Sequence, residues 1–223
     1  HLLTYAPSSV QEAVDIMMFA YDKAEQYRIP VLFIADGIIA QMMEPVEMPD
    51  MVDFKIDPEK KPWACTGWKP GDDPAKRAEI NSIYIDTESL SEHNAELQAM
   101  YAEVTKNEQM WENYNCEGAE YIITAFGTVA RIAKSAIDQL KAEGINVGLV
   151  RPITVWPFPY EAVKQAACAD GVKAVLDVEL NEGQMLEDVK IAICGAKPID
   201  FFGHCGSQMP TTDEIVAKIK SMK

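Results

Sequence analysis

The chain has 223 residues, of which 48% are hydrophobic and 25% charged, and its formal net charge is −15. This length suits one large domain or two small ones, and the apolar content is sufficient for a buried core. An acidic balance this strong repels phosphate backbones and anionic membranes, so we expect neither a nucleic-acid partner nor a membrane partner. The longest apolar stretch, PVLFIADGIIAQMM, is interrupted by Asp36 and is shorter than the ~20 residues that span a bilayer.

The cysteine pattern indicates the cellular compartment, and the first residues indicate whether the chain is part of a longer protein. Five cysteines are scattered without C-x-x-C or the spacing of a zinc or iron–sulfur site. This pattern is typical of a reducing cytosol, and we expect a cytoplasmic protein. The chain begins directly with a strand pattern, without Met or a leader segment, and we expect it to be the C-terminal part of a longer protein.

The first fifty residues show the pattern strand, helix, strand. Ser9 and Glu12 form a predicted capping box, after which apolar residues recur at helical spacing until Pro30 ends the helix. The segment PVLFIADG then reads as a buried strand that ends in a turn. Two strands joined by a crossover helix are expected to be parallel. A βαβ unit of this size needs further strands to close its core.

Residues 51–116 are polar and punctuated by proline, and we interpret them as a linker that contains a long helix. A Ser89/Glu92 capping box predicts the start of this helix. The apolar residues on one of its faces are Leu90, Leu97, Tyr101, Val104 and Trp111. A single apolar stripe indicates a single partner surface, and packing on its own chain is favoured over an inter-subunit role.

From residue 117 onward, strand and helix patterns alternate. The predicted strands are YIITAFG, INVGLVRPI, KAVLDVEL and PIDFFG. The predicted helices are one from Thr128, then YEAVKQAACA, MLEDVKIAIC and TTDEIVAKIKSM, the last with a Thr211/Glu214 capping box. Four strands alternating with four helices predict an open, mostly parallel sheet that is covered on both faces.

Common nucleotide and hydrolase motifs are missing from the sequence. It contains no G-x-G-x-x-G, no Walker lysine and no G-x-S-x-G. Gly127 alone is too little for a phosphate cradle, although the amides at the start of the Thr128 helix remain candidates for a weak anion site. Asp36 follows a strand, where α/β enzymes place catalytic carboxylates, but a residue in this position is more often a helix cap or a turn former.

Two polar turns near the end of the chain contain further candidates. VELNEGQMLEDV runs from a strand through Glu179, Asn181 and Gly183 into a helix. Such turns bind ligands in α/β proteins, while a helix cap with a glycine for backbone freedom is the favoured alternative. His204 and Cys205 are adjacent, so their side chains point in opposite directions on an extended chain, and a structural loop is favoured over a thiol catalyst.

Segments along the whole chain resemble one known family. The first is APSSVQEAVDIMMFAYDKAEQYRIPVLFIADGIIAQMMEPVEMP, and the middle ones are KPWACTG, INSIYID and SEHNAELQAMY. The last are RPITVWPFP, VELNEGQMLEDVKIAI and FFGHCGSQMPTTDEI. They resemble the alpha subunits of 2-oxoacid:ferredoxin oxidoreductases, with the middle and last segments similar to the branched-chain type, which acts on 3-methyl-2-oxobutanoate. The resemblance runs essentially from end to end.

The resemblance implies three parts of α/β class. Residues 1–50 are expected to be the C-terminal end of a pyrimidine-type thiamine diphosphate domain, a partial βαβ unit. Residues 51–116 are the helical linker, and residues 117–223 form an open α/β/α sandwich of the transketolase C-terminal type.

The resemblance also implies a reaction and its components. The whole enzyme uses thiamine diphosphate, Mg and iron–sulfur clusters on other subunits to decarboxylate a 2-oxoacid oxidatively to acyl-CoA, with reduction of ferredoxin. The implied partners are a beta subunit, which carries the diphosphate and magnesium site, and a ferredoxin-like subunit. The implied substrates are the 2-oxoacid and CoA.

The site assignment that follows is narrow. In the family, the glutamate that activates thiamine lies in a part of the pyrimidine domain that would precede His1. We therefore assign no catalytic residue and no metal ligand, leave cofactor-binding residues open, and expect the isolated chain to be inactive and to bind no cofactor by itself. The residues assigned to a family motif or an interface are Arg151, Glu179, Asn181, Gly183, Gln184, His204 and Gly206.

Two alternatives stay open from the sequence. An acidic α/β chain without a catalytic constellation also fits a non-catalytic interaction or regulatory module. Within the family, the choice between a branched-chain 2-oxoacid and 2-oxoglutarate depends on substrate-pocket residues that we do not find in this sequence.

Overall fold

The computed structural model describes residues 1–50, 60–74, 77–206 and 208–222. They form two compact units, one of His1–Met48 with the residues from Met100 onward, and one of Pro49–Ala99. No helix in these described ranges is long and apolar enough to cross a membrane. The elements in chain order are β1 (Leu3–Tyr5), α1 (Val10–Tyr27), β2 (Val31–Phe33), α2 (Gly37–Gln41), α3 (Thr87–Asn107), β3 (Trp111–Tyr114), β4 (Tyr121–Thr124), α4 (Gly127–Ala142), β5 (Val147–Pro152), β6 (Thr154–Trp156), α5 (Tyr160–Ala167), β7 (Ala174–Glu179), α6 (Gln184–Ile193), β8 (Ile199–Gly203) and α7 (Thr212–Ser221).

The first sheet has the strand order β2-β1-β6. Strands β1 and β2 are parallel, as predicted, with Leu3 opposite Val31 and Tyr5 opposite Phe33. Strand β6 pairs antiparallel with β1, although it lies about 150 residues further along the chain. The predicted strand INVGLVRPI therefore ends at Pro152, and the next residues cross to the other sheet. Residues 154–156 supply one of the additional strands that the βαβ unit needs.

The second sheet has the strand order β3-β5-β4-β7-β8. Strands β5, β4, β7 and β8 are mutually parallel, which confirms the predicted parallel sheet. Strand β3 is an antiparallel edge strand that the sequence did not predict. Because Trp111 is its first residue, the assignment of Trp111 to the face of the preceding helix is wrong.

Both faces of the second sheet are covered by helices. Strands β4, β5 and β7 are buried at every position, as expected for a parallel sheet between two helical layers. Ile123, Leu149 and Leu176 pack in one core with α4 and α7. Ile122 and Val175 pack in a second core with α5 and α6.

The capping boxes have different outcomes. The Thr211/Glu214 box of α7 is confirmed, with both reciprocal hydrogen bonds present. The Ser9/Glu12 box is half-formed, because Ser9 accepts from the Glu12 amide while the Glu12 carboxylate accepts from the amide and hydroxyl of Ser8. The Glu12 carboxylate also accepts hydrogen bonds from the Arg151 side chain.

The predicted start of the long helix is wrong. Helix α3 begins at Thr87, and the Asp86 carboxylate accepts hydrogen bonds from the amide and hydroxyl of Ser89. A charged carboxylate ahead of a helix is a strong acceptor for the free amides of the first turn. Asp86 therefore takes the capping position, and Ser89 lies in the first turn.

The end of α3 packs on its own chain, as favoured from the sequence. Val104 is fully buried with Leu3, Tyr5 and Tyr27, whereas Leu90 near the start is 42% exposed. In the described ranges 60–74 and 77–86 the chain forms turns and no strand. Pro58, one of the prolines on which the linker assignment depends, lies outside the described residues.

Candidate functional site at the carboxyl edge of the second sheet

A cavity of about 490 Å³ opens where β4 and β7 end. The helix that follows β4 covers one face of the sheet and the helix that follows β7 covers the other, so the topological switch point lies between these strands. Open α/β sheets bind ligands at this place. The lining residues come from the turn after β2, from β6, from the end of β7 and the turn after it, and from α4 and α6: Ile34, Ala35, Asp36, Phe126, Gly127, Val129, Val155, Glu179, Leu180, Asn181, Gln184, Met185 and Asp188.

Glu179, the last residue of β7, caps helix α6. The residue is 1% exposed, and its two carboxylate oxygens accept hydrogen bonds from the amides of Met185 (2.9 Å) and Leu186 (3.0 Å). Asn181 donates from its side-chain amide to the same carboxylate at 2.9 Å. Negative charge at a helix N-terminus is stabilised by the free amides and the helix dipole. The favoured interpretation of this turn as a helix cap is therefore confirmed.

The rest of the turn is fixed by Asn181 and Gly183. The Asn181 side-chain oxygen accepts from the amides of Gly183 (2.8 Å) and Gln184 (2.9 Å). Gly183 has φ +100, as predicted, and a Cβ there would lie 3.2 Å from Cδ2 of Leu186. Gln184 is exposed and lines the cavity. Its interface role stays a prediction.

Asp36 is a double cap, in agreement with the favoured interpretation of this residue. One oxygen accepts from the amides of Ile38 and Ile39 at the start of α2. The carboxylate also accepts from the amide (2.9 Å) and hydroxyl (2.7 Å) of Thr128 in α4. Although burial opposes it, these hydrogen bonds hold the pKa of Asp36 below its usual value. The anion at the start of the Thr128 helix is thus a carboxylate of the chain itself.

Arg151 is a buried cation that joins α1 to the second sheet through ion pairs with two partly exposed glutamates. Its side chain is 5% exposed and donates to both oxygens of Glu12 at 2.7 and 2.9 Å, and to Glu112 at 2.8 Å. Glu112 also pairs with Lys134. Burial opposes ionisation, but the hydrogen bonds from Arg151, with Ser8 or Lys134, keep the pKa of both glutamates below the usual value. Arg151 therefore acts inside the chain, between α1, β3 and β5.

The His204–Cys205 pair does not form a nucleophilic site. The imidazole of His204 lies 3.8 Å from Glu214 and packs edge-on against Phe202. Cys205 is exposed, and a hydrogen bond to Glu182 raises the pKa of its thiol, which disfavours the thiolate. Gly206, with φ +77, continues the loop. The loop interpretation is supported, while the family-motif role of His204 and Gly206 stays a prediction.

Asp177 is a buried polar residue that was not predicted from the sequence. It lies in the middle of β7, is fully buried, and accepts a hydrogen bond from the hydroxyl of Thr124 at 2.6 Å. The signal was available, because an aspartate inside the apolar run AVLDVE breaks the pattern of a fully buried strand.

The cavity does not suit a diphosphate. Its described lining residues include three carboxylates, Asp36, Glu179 and Asp188, and no lysine or arginine. Asp36 and Glu179 already accept several hydrogen bonds from the chain. Among the described residues, no group of three or more His, Cys, Asp and Glu could hold a metal ion. A phosphorylated cofactor therefore does not fit the side chains present at this edge.

The fold and site define a class of protein: an α/β chain in which a βαβ unit is joined to a doubly wound parallel domain through the ion pairs of a buried arginine. Two family models match the sequence. Residues 1–113 match the model described as pyruvate flavodoxin/ferredoxin oxidoreductase, thiamine diphosphate-binding. Residues 119–215 match pyruvate:ferredoxin oxidoreductase core domain II.

The chain belongs to the 2-oxoacid:ferredoxin oxidoreductase family. It is 37% identical to ketoisovalerate oxidoreductase subunit VorB of Methanothermobacter marburgensis, over 99% of this chain and 60% of that protein. It is 28% identical to 2-oxoglutarate synthase subunit KorA of Methanocaldococcus jannaschii, over 96% of this chain and 62% of that protein. The chain thus spans about 60% of the length of the curated relatives.

A solved structure shows the same fold. The 2-oxoglutarate:ferredoxin oxidoreductase from Magnetococcus marinus, with 2-oxoglutarate, coenzyme A and succinyl-CoA bound, superposes with a TM-score of 0.72 at 18% identity. The similarity covers 99% of this chain and 42% of that chain. At this identity the comparison shows the fold alone.

Proposed function

We propose that the chain is part of the alpha subunit of a thiamine diphosphate-dependent enzyme that oxidises a branched-chain 2-oxoacid. In this reaction the 2-oxoacid is decarboxylated, its acyl group is transferred to CoA, and two electrons pass to ferredoxin. The observation that carries the proposal is the 37% identity to a ketoisovalerate oxidoreductase subunit over 99% of the chain.

The branched-chain substrate is supported by the ranking of the relatives. Two ketoisovalerate oxidoreductase subunits are 37% and 35% identical to this chain. Four 2-oxoglutarate synthase subunits are 24–28% identical, and two pyruvate synthase subunits are 27% and 28% identical. We therefore favour 3-methyl-2-oxobutanoate over 2-oxoglutarate and pyruvate.

We also propose how the cofactors are divided among the subunits of the enzyme. Thiamine diphosphate supplies the chemistry that cleaves the carboxyl group when it is bound. The acidic cavity here does not suit its diphosphate, so we assign the diphosphate and Mg to the beta subunit and the iron–sulfur clusters to other subunits. The isolated chain is then expected to be inactive.

We further propose three functional parts. Residues 1–50 end the pyrimidine-type domain, residues 51–116 connect, and residues 117–223 are the transketolase C-terminal-like domain. Arg151 and Asp36 hold the first part on the last. Exposed Gln184, presented by the turn of Glu179, Asn181 and Gly183, is proposed to contact a neighbouring subunit, as is the loop of His204 and Gly206.

The proposed partners are a beta subunit and a ferredoxin-like subunit, with a cytoplasmic location and no nucleic-acid or membrane partner. Ferredoxins are commonly acidic, and a chain of net charge −15 repels an acidic protein. We therefore place ferredoxin docking on other subunits. Cross-linking of the whole complex to ferredoxin should leave residues 117–223 largely unlabelled, and dominant cross-links there would contradict this placement.

The alternative, a non-catalytic interaction or regulatory module, is not favoured because the relatives are oxidoreductase subunits. The test is co-expression of the complete natural subunit with its beta and ferredoxin-like partners. The purified complex should reduce a viologen dye when supplied with a 2-oxoacid, CoA, thiamine diphosphate and Mg. The matched control omits only thiamine diphosphate. A stable complex that reduces no dye with any 2-oxoacid would favour the module.

A further inference from the structure

Asp177 is a buried acid with too few hydrogen-bond donors. It lies opposite Thr124 in the parallel β4–β7 pair, and both side chains have no exposed surface. Oδ1 accepts from the Thr124 hydroxyl at 2.6 Å. Oδ2 is buried and has no donor among the described residues. A buried carboxylate oxygen without a donor is costly, because it has lost its water and gained no replacement.

Glu179, two residues further along β7, has several hydrogen-bond donors, in contrast to Asp177. Alternate residues of a strand project from the same face, so Glu179 and Asp177 lie side by side. The Glu179 carboxylate accepts from three N–H groups, those of Met185, Leu186 and the Asn181 side chain. Three donors and a helix N-terminus stabilise the ionised form of Glu179. Glu179 is therefore the carboxylate of the pair.

The charged surroundings of Asp177 do not favour a second negative charge. From β4 it faces the neutral Thr124, and from β8 its register partner is Phe201. On β7 it faces Glu179, and on α6 the cation Lys190 acts on it from an exposed position. Burial, followed by the hydrogen bond to Glu179, raises the pKa of Asp177 to about 8. If Asp177 is protonated on Oδ2, this oxygen needs no donor, because its own O–H group can donate to the Glu179 carboxylate.

We propose that Asp177 and Glu179 share one proton at neutral pH, carried on Oδ2 of Asp177 and accepted by the Glu179 carboxylate, and that this pair is a proton-sensitive latch beneath helix α6. When the proton leaves to solvent, two adjacent carboxylates remain. The step is a deprotonation only and includes no other covalent or redox change. Their repulsion acts on Glu179, which holds the first amides of α6 and lines the cavity. Deprotonation therefore loosens the start of α6 and the cavity wall. This inference is independent of the proposed function.

The direct test is infrared spectroscopy of the complete natural subunit between pH 6 and pH 9. A carbonyl band of a protonated carboxylic acid should be present at pH 6 to 7 and should disappear as the pH rises past 8. The band should be missing at all these pH values in Asp177→Asn and unchanged in Asp188→Asn, a control that removes another acid, which lines the cavity as Glu179 does. Absence of a carboxylic-acid band from the unmodified protein at pH 6 would overturn the proposal, whether or not the variants fold.

The latch itself is tested by hydrogen exchange at the amides of Met185 and Leu186. After correction for the intrinsic base-catalysed rate, the excess exchange should rise about tenfold per pH unit until pH 8, because the deprotonated fraction rises in that way. In Asp177→Asn the amide of the new side chain donates permanently to Glu179, so the excess should disappear. Equal pH dependence in the unmodified protein and in Asp177→Asn would contradict the latch.

Discussion

Replacement of Arg151 by Met is the perturbation that should most affect the attachment of the βαβ unit to the second sheet. Met is flexible and uncharged and replaces the apolar stem of the arginine, although it is shorter. The change removes the three charge-assisted hydrogen bonds to Glu12 and Glu112. Two carboxylates that are 22% and 31% exposed then face each other without their shared cation.

The magnitude follows from what each glutamate retains. Removal of one partner from a buried ion pair costs about 3–5 kcal/mol, because an uncompensated charge remains. Here Glu112 keeps Lys134 and Glu12 keeps the amide and hydroxyl of Ser8, and both carboxylates are partly solvated. We therefore expect Arg151→Met to lower the free energy of unfolding by about 2–4 kcal/mol.

The assay is urea unfolding at pH 7 of Arg151→Met, Glu12→Gln and the double variant. Because the residues are in direct contact, the double-mutant cycle should give a coupling energy of about 1–3 kcal/mol. The control is Lys173→Met, which removes a solvent-exposed pair with Glu120 and should leave the unfolding midpoint in urea almost unchanged. The reasoning is refuted if Arg151→Met is no more destabilising than Lys173→Met, or if the two changes are additive.

Three further predictions follow from the site and the charge network. Gly183→Val should destabilise the chain by about 1–3 kcal/mol, because φ +100 is strained for a β-branched residue. Gln184→Ala should leave the melting temperature of the chain almost unchanged and should weaken its assembly with the other subunits. Equal destabilisation of the chain by both changes would show that Gln184 is internal scaffolding. Isothermal titration of this chain with thiamine diphosphate and Mg should give no heat of specific binding, and micromolar binding would contradict that. Because the pKa values of Glu12 and Glu112 are lowered in the folded state, their stabilisation is complete above the ordinary value of 4.5 and is lost as the pH falls through the lowered values. Melting temperatures below pH 4.5 should therefore fall more steeply for the unmodified chain than for Arg151→Met, and parallel curves would argue against the network.

Much of the second sheet could be predicted because its signals are local. Each parallel strand is a short apolar run and each following helix repeats at 3.6 residues, so β4, β5, β7 and β8 were all found. Strands β3 and β6 were missed because neither is a buried run. Strand β3 alternates exposed and half-buried residues at the sheet edge, and β6 has three residues whose partner is about 150 positions away.

The candidate site was predictable only in part for the same reason. The cap formed by Glu179, Asn181 and Gly183 lies within one turn and can be read from the sequence. The partners of Arg151 and Asp36 lie 139 and 92 positions away, at Glu12 and Thr128, so only tertiary structure brings them together.

The central claim is that this chain is part of an oxidoreductase for branched-chain 2-oxoacids, and competition among substrates tests it most directly. The assembled complex would receive equimolar 3-methyl-2-oxobutanoate, 2-oxoglutarate and pyruvate, together with CoA, thiamine diphosphate, Mg and oxidised ferredoxin. The initial ratio of acyl-CoA products, measured by mass spectrometry, equals the ratio of the kcat/KM values. We predict that the branched-chain acyl-CoA is the main product. A main product of succinyl-CoA or acetyl-CoA, or no acyl-CoA at all, would contradict the account.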